Sequence, residues 1–183
     1  MKMSRKIAIG LLLVSSLIAS AVAADPATPG TNVVVAPTGA AALPKVLIIG
    51  DSISMGYTPV VQKLLQGVAG VSRPSENCQH TGYGLASMAR WLGTQRWDVI
   101  HFNFGIWDTH LLTGGGALVT KEEGPQPMPS THIRYSPDEY RDNLTKLVAV
   151  LEGTGAKLIW ASTTPVVFRP GKRIEDIPTY NAV

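Results

Sequence analysis

At 183 residues the chain has the size of one domain with an appendage. With 45% hydrophobic and 16% charged residues it holds enough apolar material for a core, which excludes a wholly disordered chain. Lys2, Arg5 and Lys6 account for the whole excess of 16 basic over 13 acidic residues, so no basic stripe remains to follow a phosphate backbone and nucleic acid is excluded as a partner.

Residues 1–6 form a positive leader, and 7–22 are an unbroken apolar and small-residue run. Ala21-Val22-Ala23 closes it as an A-x-A site, so residues 1–23 read as an export signal cleaved before Ala24. A membrane anchor is the rival, since the run approaches the roughly 20 residues that span a bilayer. Small residues thin its second half and polar sequence follows at once, which favours cleavage. The expected product is secreted or periplasmic, with no stable membrane insertion. Residues 24–44, rich in Pro, Ala and Gly, read as a linker.

A domain is expected from Lys45 to Val183. Residues 45–50 are an apolar run ending in glycine, the pattern of a strand buried on both faces. Residues 59–67 show a helical apolar face, 68–72 a short strand and 85–92 a second helix. Residues 98–104 form the next strand. A long polar segment with Gly114-Gly115-Gly116 separates Asp108 from Ser136, and loops of that length cover or line sites. Ser136-Pro137-Asp138-Glu139 is a capping box opening a helix that Gly153 and Gly155 stop. Residues 157–161 are another strand. Strands alternating with helices predict a three-layer α/β/α architecture with a flavodoxin-like parallel sheet.

In such sheets sites form at the carboxyl ends of strands. Gly50-Asp51-Ser52-Ile53-Ser54 follows the first strand directly. A serine on that turn is exposed beside backbone N–H groups that can hold an oxyanion. Asp51 and Ser52 fit a plain helix cap equally well, and the pentapeptide alone does not decide. Two further strand ends carry Glu76-Asn77-Cys78-Gln79-His80-Thr81 and Asn103-Phe104-Gly105-Ile106-Trp107-Asp108. Cys78 is the only cysteine, so neither an intrachain disulfide nor a cysteine zinc site can form.

These segments, in this order and spacing, resemble a secreted bacterial branch of the SGNH/GDSL hydrolases. Asp98-Val99-Ile100-His101 and Thr163-Thr164-Pro165 add to the resemblance, which runs from about Lys45 to the end of the chain. It implies the SGNH hydrolase fold and an esterase that needs no metal or cofactor. Ser52 is the implied nucleophile, forming an acyl-enzyme with an acyl or carbohydrate ester. The Ser52 N–H is one implied oxyanion donor. A second is a backbone N–H that falls at Gln79, where the family has glycine. The third is an asparagine amide in a Gly-x-Asn-Asp segment, and here Trp107 stands in its place. The indole N–H of Trp107 can donate one bond, or its ring can wall the substrate pocket. Asn103 lies close by in sequence as another candidate. Tyr83 and Trp91 fit either a sugar-stacking surface or core packing.

The resemblance also implies a C-terminal Asp-x-x-His block that supplies the general base. Asp98 and His101 have that spacing, but they sit at the start of a strand and within it, at the wrong end of the sheet. His80 and His110 lie in the right loops, and His132 in the long polar segment. The expectation is that the base lies beyond Val183 with the last strand and helix, leaving this piece nearly inactive and poorly folded. Two rival readings are a non-catalytic carbohydrate- or surface-binding domain of the same fold, and a phosphate- or metal-holding loop at Gly50-Asp51-Ser52. The latter wants carboxylates at strand ends, and Asp108 is the one good candidate.

Overall fold

The fold was taken from a computed structural model, which describes residues 42–119, 130–165 and 176–183. The expected export signal, and the linker up to residue 41, lie outside these residues. The described residues belong to one compact unit.

Four parallel strands build the sheet, in the order β2-β1-β3-β6: β2 is Gly70–Ser72, β1 Lys45–Ile49, β3 Val99–Phe102 and β6 Lys157–Trp160. Leu47 pairs with Ile100 and Ile49 with Phe102, so these four side chains share one face. Ile48 and His101, paired between them, share the other. The chain leaves β1 through α1 (Ser52–Leu64) towards β2, then returns past β1 through α2 (Thr81–Leu92) and α3 (Pro137–Glu152). Right-handed crossovers therefore put α1 on one face and α2 with α3 on the other. This is the predicted layering, and β1 and β3 flank the point where the strand order reverses.

The core fills the face of α2 and α3. Met88, Trp91, Tyr140, Leu147 and Leu151 meet Leu47, Ile49, Ile100 and Phe102 there, all buried. Burial of each aliphatic side chain of this size stabilises by about 1.5–3 kcal/mol. On the other face Tyr57 of α1 meets His101 edge-on, ring centroids 6.2 Å apart. α1 itself buries only Ser54 and Thr58.

Three elements differ from expectation. α1 begins at Ser52 rather than near Pro59, and Pro59 lies inside it. The Asp51 carboxylate caps the Ile53 N–H at 2.9 Å, and the Ser54 and Thr58 hydroxyls bond the carbonyls of Asp51 and Ser54. The buried stripe is polar, so hydrophobic periodicity cannot show it. α2 begins at Thr81 rather than Leu85 because His80 caps it. Within the long polar segment, β4 (Leu111–Leu112) and β5 (His132–Ile133) pair antiparallel. The last described helix, α4 (Ile177–Asn181), packs Tyr180 onto Tyr140.

Candidate active site

Ser52 is the first residue of α1, at the carboxyl end of β1, and it is exposed. A first-turn N–H has no helical acceptor. The neighbouring Ile53 N–H is taken by Asp51, whereas the Ser52 hydroxyl makes no hydrogen bond among the described residues. An open hydroxyl and an open N–H thus sit together at the reversal point of the sheet, where ligands of open α/β sheets bind.

A short bridge crosses that point. The Cys78 N–H donates to the Gly50 carbonyl at 3.3 Å, and the Thr81 N–H donates to Asp108 Oδ1 at 3.0 Å. Residues 78–81 therefore span from the end of β1 to the turn after β3. Gln79, in the middle, has φ +51, a conformation that suits glycine better than a side-chain-bearing residue. This is the geometry a glycine would supply at that position. Its N–H is not open, however, because it donates to Asn77 Oδ1 at 3.0 Å.

The bridge is anchored at both ends. Glu76 accepts from Trp91 Nε1 and the Tyr83 hydroxyl, each at 2.6 Å, and from Arg90. The Trp91 bond first, then that of Tyr83, holds the Glu76 carboxyl down to about 2. Tyr83 and Trp91 are committed to this anchor. At the other end the Thr81 hydroxyl donates to Asp108 and accepts from Asn143 at 3.1 Å. Burial pushes the Cys78 thiol up to about 11, so it is not a nucleophile at neutral pH.

The candidates after β3 separate. Both amide hydrogens of Asn103 are used, on the carbonyls of Ala161 at 2.7 Å and Ser162 at 2.9 Å. Asn103 thus ties β3 to the end of β6 and has no N–H left for a substrate. Trp107 is half-exposed, packs at a tilt against the buried His110 with ring centroids 4.8 Å apart, and its indole N–H donates no bond among the described residues.

None of the four histidines is hydrogen-bonded to Ser52 among the described residues. Asp98 lies before β3 and accepts from the Lys45 N–H at 2.7 Å, at the far end of the sheet. His101 is the penultimate residue of β3, nearer the carboxyl end than expected, and is turned to the α1 face, where it meets Tyr57. His132 lies on β5. His80 accepts the Tyr83 N–H on Nδ1 at 3.0 Å. Burial, then the nearby Arg134, lowers His80 to about 4. The Asp108 clamp and the His80 cap went unread in the sequence. A polar residue directly before Thr81 was the available sign of the cap.

Neither a family model nor a curated protein sequence matches the chain. In structure it is similar to an acetyl xylan esterase, with 15% identity, a TM-score of 0.55, and 75% of this chain and 69% of that one covered. It is similar to a GDSL-like lipase from Bacteroides thetaiotaomicron, with 15% identity, a TM-score of 0.54, and 75% and 60% covered. A Bacteroides fragilis protein assigned as an acylhydrolase gives 15%, 0.54, 75% and 59%. The chain spans about 60% of the length of the last two. The fold is that of the SGNH/GDSL hydrolases.

Proposed function

We propose that the chain is an exported serine ester hydrolase with Ser52 as its nucleophile. The observation that carries this reading is the Ser52 hydroxyl, open at the first position of α1 beside its own free N–H, in a chain with this fold. In the proposed reaction a general base takes the Ser52 hydroxyl proton as Oγ attacks an ester carbonyl, the carbonyl electrons move to oxygen, and the Ser52 N–H receives the oxyanion. Collapse breaks the ester C–O bond as the base returns the proton to the leaving alkoxide, which departs as the alcohol. Water, deprotonated by the same base, then releases the acyl group, and Ser52 recovers its proton. The open indole N–H of Trp107 is the side-chain donor or pocket wall on the far side. The substrate class is an acyl ester of a small molecule or sugar. Residues 1–23 support export to the periplasm or medium, before cleavage near Ala24.

A fluorophosphonate ester tests the assignment. Mass spectrometry of the digested adduct is expected to place the label on Ser52, and Ser52→Ala to abolish it with the unfolding midpoint unchanged. Label on another residue, or ester turnover that survives Ser52→Ala, sinks the assignment. The absence of an imidazole bonded to Ser52 among the described residues favours a second reading, a sugar- or surface-binding domain of the same fold. Saturable oligosaccharide binding without Ser52 labelling would establish that reading instead.

A further inference from the structure

The amide that the Gly-like backbone of Gln79 would offer an oxyanion is occupied by Asn77. The next residue on the bridge, His80, presents a donor that is not. Its Nδ1 accepts the Tyr83 N–H at 3.0 Å as the cap of α2. A neutral imidazole has one ring nitrogen with a free lone pair and one bearing hydrogen. The cap consumes the lone pair, so the hydrogen is fixed on Nε2. His80 therefore cannot take the Ser52 proton. It can only donate. The ring is half-buried and packed against Tyr83 and Tyr135, with centroids 6.2 and 5.6 Å away. Nε2 makes no hydrogen bond among the described residues and is not sealed from solvent. His80 sits between Cys78, bonded to Gly50, and Thr81, bonded to Asp108, over the reversal point that Ser52 also borders.

We propose that His80 is a substrate-binding residue of this site, donating its Nε2–H to the oxygen that becomes the oxyanion. This rests on the reading of Ser52 as nucleophile. The role asks for an imidazole that stays neutral. Arg134 is the charged group facing the ring, Tyr83 of α2 and Tyr135 are the titratable ones, and burial with Arg134 keeps the ring uncharged at working pH.

The test uses the full chain labelled with nitrogen-15. Long-range proton–nitrogen spectra are expected to show the Nε2–H tautomer of His80, unchanged from about pH 5.5 to about pH 8. A fluorophosphonate ester is then added. The Oγ–P bond forms, fluoride leaves, the hydroxyl proton passes to solvent, and the phosphonyl oxygen stands in for the oxyanion. In the adduct the His80 Hε2 resonance is expected to move downfield and to exchange more slowly with water. His80→Asn keeps a good helix cap but has no N–H at that reach. It is expected to slow Ser52 labelling on the order of 10²-fold, the loss typical of one oxyanion donor, with the unfolding midpoint unchanged. A labelled Ser52 beside an unmoved His80 resonance, an Nδ1–H tautomer, or labelling of His80→Asn at the parent rate overturns the inference alone. A Ser52 that is never labelled overturns the reading beneath it, and this inference with it.

Discussion

Asp108 is fully buried, and its Oδ1 takes both the amide and the hydroxyl of Thr81 while Oδ2 has no partner among the described residues. Burial pushes its carboxyl from the usual value near 3.8 up to about 7, against the opposing bonds from Thr81 and the charge of Arg134. The protonated form is thus the one the fold prefers. Its contribution to stability is fully present below the unfolded value near 3.8 and is lost as pH rises through about 7. His80 has the opposite slope, because a lowered imidazole contributes above its unfolded value near 6.5 and loses that contribution as pH falls towards about 4. The difference between the parent and Asp108→Asn isolates the carboxyl. The amide of that variant keeps an acceptor for Thr81 and cannot ionise. Urea midpoints from about pH 5 to about pH 8 are expected to favour the variant increasingly with pH. Parallel curves would show that Asp108 does not titrate in this range. In the sequence Asp108 was visible only as a carboxylate at a strand end. Its partner Thr81 is 27 residues away, and no local pattern joins them.

Two glycines show how elements set the outcome of one substitution. Gly84 lies in α2 where it crosses α3, and a Cβ there would stand 2.8 Å from Phe104 Cζ and 3.4 Å from Leu147 Cδ2. Both neighbours are buried, so neither can yield. Gly56 lies in α1 with nothing within 4 Å of an added Cβ. Alanine gains about 1 kcal/mol over glycine in an open helix interior. Gly56→Ala is expected to stabilise by about that amount. Gly84→Ala is expected to destabilise by about 1 kcal/mol, since overpacking of about 1–3 kcal/mol outweighs the same gain. Denaturant midpoints with unchanged slopes check both signs. The elements that sequence reading found were those with local chemistry. The Ser136–Glu139 capping box forms as expected, and the strands at β1, β3 and β6 follow their apolar runs. The Asp51 cap of α1 was one of the two readings of Gly50-Asp51-Ser52, although the apolar face pointed only to residues 59–67. The start of α2 was missed because its cap, His80, precedes a stretch without an aliphatic stripe. The β4–β5 hairpin was missed because its strands are two residues long and 20 residues apart, so pairing alone defines them.

At the scale of the molecule, the two faces of the sheet are unequally covered. Among the described residues the face of α2 and α3 holds the core, whereas the other face carries α1 alone, over β1 and β2. Ile159 of β6 pairs in register with His101, so it points to the α1 side, where it is 45% exposed. Leu64 at the end of α1 is 74% exposed, with Val60 one turn before it. β6 is also the last strand of the sheet, and its outer edge is unpaired among the described residues. Open edges next to apolar side chains recruit further strands. Apolar patches of this kind are uncommon on monomers. The chain is therefore expected to self-associate as its concentration rises. Ile159→Lys places a charge on the open face and beside the edge, at a residue already 45% exposed. It is expected to lower the average mass seen by light scattering and to reduce binding of a hydrophobic dye, with the unfolding midpoint unchanged. The same mass for both proteins at every concentration would show that this face does not drive association. A change confined to Leu64→Lys would move the contact to the outer side of α1.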